Sequence, residues 1–288
     1  MANVLELKNV CKNYPGFTLQ DVSFSLPEGY VMGLIGPNGA GKTTCIKLIM
    51  NLLHSDDGEI SIFGMSHRNR SIAIKERIGF VYDNPNHYNH LNLRQIKNMI
   101  APFYRQWDEP RFRELADQFE LPLKKSLRKF SRGMVMKAAL AIALSHHADL
   151  IIMDEPTSGL DPVFRRELLD IFYDLLQNEK KSILFSTHIT PDLQRIADFI
   201  TFILDGKIIF SEEKDIVAAN YAVVKGGNAL LNRETETFFK GVRRTEYGFE
   251  ALTDDAQEAK KRFGKDVVIE TADLEDIMYL SKLRSDHD

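Results

Sequence analysis

YVMGLIGPNGAGKTT, residues 30–44, runs from an unbroken apolar segment into a glycine-rich loop and out through a Lys-Thr pair. The run at 30–35 reads as a strand buried on both faces, and residues 42–53 behind the loop carry helical periodicity. Between them Gly36, Pro37, Asn38, Gly39, Ala40, Gly41, Lys42, Thr43 and Thr44 satisfy G-x-x-x-x-G-K-[ST] in the strand–loop–helix context that the pattern requires. Glycines let such a loop curl, so that successive backbone N–H groups and the helix N-terminus converge on phosphate oxygens. The Lys42 ammonium then reaches the β and γ oxygens of a triphosphate, and the Thr43 hydroxyl is placed to ligate Mg2+.

Residues 150–155, LIIMDE, end a second apolar strand on two adjacent acids. In open α/β sheets, ligands bind beyond the carboxyl ends of the strands. Neighbouring strand side chains point to opposite faces, so Asp154 and Glu155 are expected to take separate roles. Asp154 is expected to anchor Mg2+, and Glu155 to polarise the attacking water.

Working outward, residues 5–10 and Val22, Phe24 and Leu26 alternate with period two, as a half-exposed antiparallel sheet does. Residues 182–185 add a third buried strand. Helical periodicity recurs over 93–107, 110–119, 132–145 and 162–177, and prolines open two of these segments, where a missing N–H does no harm. FILDGKIIF at 202–210 reads as a hairpin turning at Asp205-Gly206. Past Ser211 the rhythm weakens, with strands expected near Ala222 and Val267 and helices over 254–263 and 273–283. The expectation is an α/β domain at 1–211 with a largely parallel sheet, followed by a small α+β domain at 212–288.

The 288 residues carry 37 Lys and Arg against 41 Asp and Glu, a net charge of −4. No global basic field argues for nucleic acid or an anionic membrane surface as partner. No window reaches the ~18 consecutive apolar residues of a membrane helix, and the first ten residues lack the features of a signal peptide. Cys11 and Cys45 have no metal-ligand spacing and read as free thiols of a reducing compartment, Cys45 as a small core residue. A cytoplasmic protein is expected.

Taken together, Gly36 to Thr44, FSRGM at 130–134, LIIMDEP at 150–156, SGLD at 158–161 and His188 resemble the ATP-binding cassette (ABC) transporter ATPases over about residues 1–211. The resemblance implies a P-loop NTPase with a RecA-like parallel sheet core, an antiparallel β subdomain and an α-helical subdomain at about 84–146. It implies ATP and Mg2+ as ligands, with Tyr14 stacked on adenine and Lys42, Thr43 and Asp154 on triphosphate and metal. Glu155 and His188 would be catalytic, His188 contacting the γ-phosphate. Ser131, Gly133 and Asp161 would act in trans, on ATP held by a second ATPase chain, identical or different. The resemblance also implies separate transmembrane permease subunits, which would hold the chain at the inner face of the cell membrane. ETADLEDI at 270–277 is similar to an ending of drug and antimicrobial-peptide resistance ATPases, which implies a bacterial exporter and a peptide or small amphiphile as cargo.

Three positions depart from the family. Asp83 stands where a glutamine is usual, and is expected to keep a metal-binding role. Arg132 and Met134 replace a glycine and a glutamine, while Ser131 and Gly133 are retained. Arg132 adds a cation downstream of Lys124, Lys125, Arg128 and Lys129, a cluster that reads first as a solvated basic face. His87, His90, His146 and His147 lack a motif context and are expected at the surface. A soluble ABC ATPase acting on ribosomes or DNA, and a regulatory module that scarcely hydrolyses ATP, are the other readings. A single uninterrupted cassette with an acidic balance counts against the first of these.

Overall fold

Alternating apolar residues at the start of the chain form two long antiparallel strands, β1 (Asn3–Tyr14) and β2 (Phe17–Pro27). The structure, a computed structural model, describes residues 2–82, 90–179 and 181–285. It consists of two units, Met1–Phe210 and Ser211–Asp288.

In the first unit β3 (Val31–Ile35) enters the glycine-rich loop and α1 (Lys42–Ile49) leaves it. Next come β4 (Asp57–Ile62), β5 (Met65–Ser66), α2 (Ser71–Lys75) and β6 (Ile78–Val81). Three helices follow: α3 (Leu93–Ile100), α4 (Glu109–Gln118) and α5 (Arg132–Leu144). The unit closes with β7 (Leu150–Asp154), α6 (Pro162–Glu179), β8 (Ser182–Thr187), α7 (Thr190–Ile196), β9 (Phe199–Leu204) and β10 (Lys207–Glu213).

These strands make one sheet in the order β2-β1-β4-β5 and another in the order β10-β9-β3-β8-β7-β6. In the second sheet β9, β3, β8, β7 and β6 pair in parallel. β3, β7 and β8 are buried at every residue, which is why their sequences show no alternation. Register fixes the next step. Ile35 pairs with Thr187 and Asp154 with Ser186, so three strands finish along one edge. Gly36, Glu155 and His188 each begin just beyond that edge.

An apolar core shared by Leu5, Leu7 and Val10 of β1, Leu34 of β3 and Ile46 of α1 lies between the antiparallel sheet and the parallel one. Phe185 on β8 is fully buried, and its ring stands 6.4 Å from that of Phe172. Phe185→Ala is expected to lower stability by about 3–5 kcal/mol, read from the urea midpoint, because a buried ring is removed from a close-packed site.

Element boundaries differ from the periodicity in places. Residues 50–53 do not continue α1: Asn51 is left-handed at φ +50°, and the Leu52 and Leu53 N–H groups both bond back to Lys47 O. The helix expected over 93–107 stops at Ile100, where Pro102 gives a 3-10 turn at Ala101–Phe103. β4 went unpredicted, although Ile60 and Ile62 alternate there with exposed Glu59 and partly exposed Ser61. The hairpin between β9 and β10 turns at Asp205 and Gly206, both with positive φ as a two-residue turn of this kind requires.

The second unit contains α8 (Lys214–Asn220), β11 (Ala222–Gly226), α9 (Arg233–Phe238), β12 (Gly241–Arg244), β13 (Phe249–Thr253), α10 (Ala256–Phe263), β14 (Val267–Thr271) and α11 (Leu274–Ser285). Its sheet order β12-β13-β11-β14, with every pair antiparallel, makes residues 222–271 a split βαββαβ arrangement. Val224, Phe239, Phe249, Ala251 and Phe263 form its own core.

Candidate active site

The cradle is built by the turn from β3 into α1. Gly41 has φ +114°, a conformation that strains any L side chain, and it serves as N-cap of α1. Ala40 N–H donates to Pro37 O at 3.2 Å, and Gly206 N–H to Ala40 O at 3.1 Å, so the loop is braced from both sides. Lys42 is only 6% exposed, and a buried ammonium needs partners. It donates to Gly36 O at 2.7 Å and Pro37 O at 3.2 Å, and stands 3.3 Å from Glu155 Oε1.

Both acids at the end of β7 face this loop. Asp154 continues the strand, but Glu155 has φ +49°, which breaks the alternation and corrects the expectation that the pair would point apart. Their roles still separate through their partners. Asp154 Oδ1 accepts from Ser186 Oγ at 2.6 Å and from Thr43 Oγ1 at 3.2 Å. Glu155 N–H donates to the same Ser186 hydroxyl at 3.0 Å, so one serine of β8 fixes both acids. Glu155 Oε2 accepts from His188 Nδ1 at 2.8 Å; a carboxylate cannot donate, so the proton sits on Nδ1. His188, Glu155 and Lys42 thus form one charged chain across the mouth of the loop.

The cleft they border has a volume of about 400 Å³, and Phe17, Asn38, Thr43, Thr44 and Ser158 also line it. A glycine-rich loop carrying Lys42 and Thr43 on one side and an acid–imidazole pair on the other suit phosphate groups and the water that attacks them. The profile of the family described as ABC transporter matches residues 19–158. The lantibiotic transport ATP-binding protein SrtF of Streptococcus pyogenes is 34% identical over 74% of this chain and 92% of its own length. The chain belongs to the ABC transporter ATP-binding proteins.

An uncharacterized ABC transporter ATP-binding protein of Bacillus subtilis, YhcH, is also 34% identical, over 73% of this chain and 70% of its own. The solved structure of an ATP binding subunit of an ABC transporter superposes with a TM-score of 0.67 at 30% identity, covering 75% of this chain and 92% of that one. The protein is therefore an ATPase of this family, a class that hydrolyses ATP to power transport through separate membrane subunits.

Not every predicted residue of the ABC ATPase comes to the cleft. Asn38, Gly39, Gly41, Lys42, Thr43, Thr44, Glu155 and His188 line it, Asp154 lies behind Thr43 and is bonded to its hydroxyl, and Gly36, Pro37 and Ala40 shape the loop without lining the cleft. Tyr14 is not in the lining; Phe17, its cross-strand partner on β2, supplies the aromatic ring of the wall. Ser131 and Asp161 stand apart as helix caps. Ser131 is exposed and its hydroxyl accepts from Met134 N–H at 3.2 Å, while Asp161 Oδ1 accepts from Val163 and Phe164 N–H at 3.1 and 3.0 Å. Gly133 lies in the first turn of α5. Asp83 and His87 lie outside the described residues.

Among the remaining histidines, His90 and His147 are exposed, but His146 is not at the surface. Its ring is 1% exposed, stacks on Tyr104 at 3.8 Å between centroids, and places Nε2 3.0 Å from Ile78 O. Burial lowers its pKa and keeps it neutral, a core role that its polar neighbours concealed. Burial likewise pushes the Cys45 thiol to about 12, so it stays protonated behind the cradle. Ser186 and Phe17 escape the sequence reading, and Ser158 enters it only as part of the SGLD motif. The signal for Ser186 was its place in SILFST, opposite the acid pair.

Proposed function

We propose that this ABC ATPase energises an exporter, as one of two ATP-binding chains whose joint closure on ATP drives a peptide or small amphiphile through separate membrane subunits. It would work at the inner face of the cell membrane, held there by those subunits. The observation that carries this reading is the Lys42–Glu155–His188 chain set over the phosphate cradle.

The cradle's N–H groups and Lys42 bind the phosphates, and Lys42 exchanges the loop carbonyls for phosphate oxygens when they arrive. Glu155 accepts the proton of the attacking water. His188 holds the carboxylate in place through Nδ1, and contact with a γ-phosphate oxygen would require its other ring nitrogen, Nε2, to carry a proton and donate. Thr43 Oγ1 and the buried Asp154 carboxylate fit Mg2+, which favours oxygen donors and takes one or two protein ligands beside phosphates and water. Held there, the ion would supply positive charge against the phosphate groups. Ser131, Gly133 and Asp161 sit at helix starts away from their own cleft, which supports the reading that they complete the cleft of a second chain.

Chelation of divalent cations is expected to bring phosphate release down to background and Mg2+ to restore it, with Thr43→Ala and Asp154→Asn weakening the restoration. The transport part is tested by detergent extraction of native membranes with the chain tagged. Co-purification of a multi-span membrane protein supports it, and an ATPase recovered wholly without membrane proteins contradicts it.

A further inference from the structure

The proposed pairing leaves open how the surface offered to a second chain is tied to the chain's own cleft. In this protein the two meet at Arg132. A methyl group on Gly159 would lie 2.5 Å from Arg132 Nη1, 3.0 Å from Cζ and 3.5 Å from Nε, so the guanidinium rests on the bare backbone of Gly159. Gly159 has φ +66° and follows Ser158, which lines the cleft. The turn that carries it is short: Ser158 N–H bonds to Glu155 O at 3.2 Å and Leu160 N–H to Thr157 O at 3.3 Å. Further along α5 the contact with α6 continues. A side chain on Gly133 would meet the Phe164 ring at 2.8 Å, while Lys137 lies 4.9 Å from that ring's centre and bonds Glu167 at 3.1 Å.

We propose that Arg132 is a positioning residue: its guanidinium plane clamps the 155–160 turn to the start of α5, so that Glu155 and Ser131 hold a fixed relation during turnover. This rests on the ATPase reading of the cleft. Arginine suits the task because its rigid guanidinium, which meets Gly159 through Nη1, is more weakly hydrated than a lysine ammonium and packs more readily against backbone. The side chain is exposed, so the clamp adds order to the turn without contributing to the core.

Hydrogen exchange of the full chain without nucleotide tests the clamp independently of hydrolysis. In Arg132→Ala and Arg132→Lys, the Ser158 and Leu160 amides are expected to exchange about tenfold faster, with β7 and β8 amides unchanged. Unchanged exchange at 158–160 overturns the proposal. So does faster exchange throughout the unit, which signals general loosening, and so does wild-type protection in Arg132→Lys, which would assign the effect to charge alone. In steady-state assays both variants are expected to lose about tenfold in kcat with KM for ATP unchanged, as misplacement of a catalytic group does. A raised KM at constant kcat overturns it. If the wild-type chain released no phosphate, the ATPase reading would fail, while the exchange result would still decide the clamp.

Discussion

Glu155→Gln is expected to lower steady-state phosphate release by about 10²–10⁴-fold, the usual loss when a general base is removed, while ATP binding persists. The substitution is nearly isosteric, so the left-handed turn at Glu155 and its backbone bond to Ser186 remain. What disappears is the acceptor for the water's proton. The amide can still accept from His188 Nδ1 and lie beside Lys42, which separates a chemical defect from a structural one. ATP-loaded pairs of chains are expected to accumulate on gel filtration, since the step that reopens them is blocked. Equal rates for variant and wild type would remove Glu155 from the chemistry.

Lys42→Ala is expected to act earlier, on affinity. A hydrogen bond to a charged group is worth about 1.5–3 kcal/mol, so loss of the ammonium should weaken ATP binding roughly 10- to 150-fold. The same substitution strips the Gly36 and Pro37 carbonyls of their donor and leaves Glu155 without its cation, so the loop itself should loosen. The check is the thermal shift given by saturating ATP in the wild type, which mass action makes proportional to the logarithm of ligand over Kd. It should shrink in Lys42→Ala, whereas Glu155→Gln should keep it. An undiminished shift would mean that the cradle does not hold the triphosphate.

Much of this site was legible because its parts obey local rules. A buried strand followed by G-x-x-x-x-G-K-[ST] and an apolar helix specifies its own geometry, and the acid pair at the end of 150–155 needs only a parallel neighbour to reach it. The parallel pairing supplied that, through Ser186 beside Asp154. What local rules could not supply was the backbone at Glu155. Strand alternation predicts opposed side chains, and a single positive φ overrides it. Ser186 escaped notice for a related reason, since its importance comes from lying across the sheet from residues 31 and 32 positions away. His146 looked solvated because polarity is read residue by residue, whereas its burial depends on Tyr104 packing over it. In the second unit the short strands β12 and β13 were invisible: a four-residue GVRR segment carries too little periodicity to separate from a loop.

The most direct test of the role given to Glu155 is the chemical identity of the nucleotide that chains carry through gel filtration after incubation with MgATP. Glu155→Gln is expected to carry intact ATP, and the wild type ADP or no nucleotide. Glu155→Gln emerging with ADP would show that the γ-phosphate was cleaved without this carboxylate, and would contradict the mechanism.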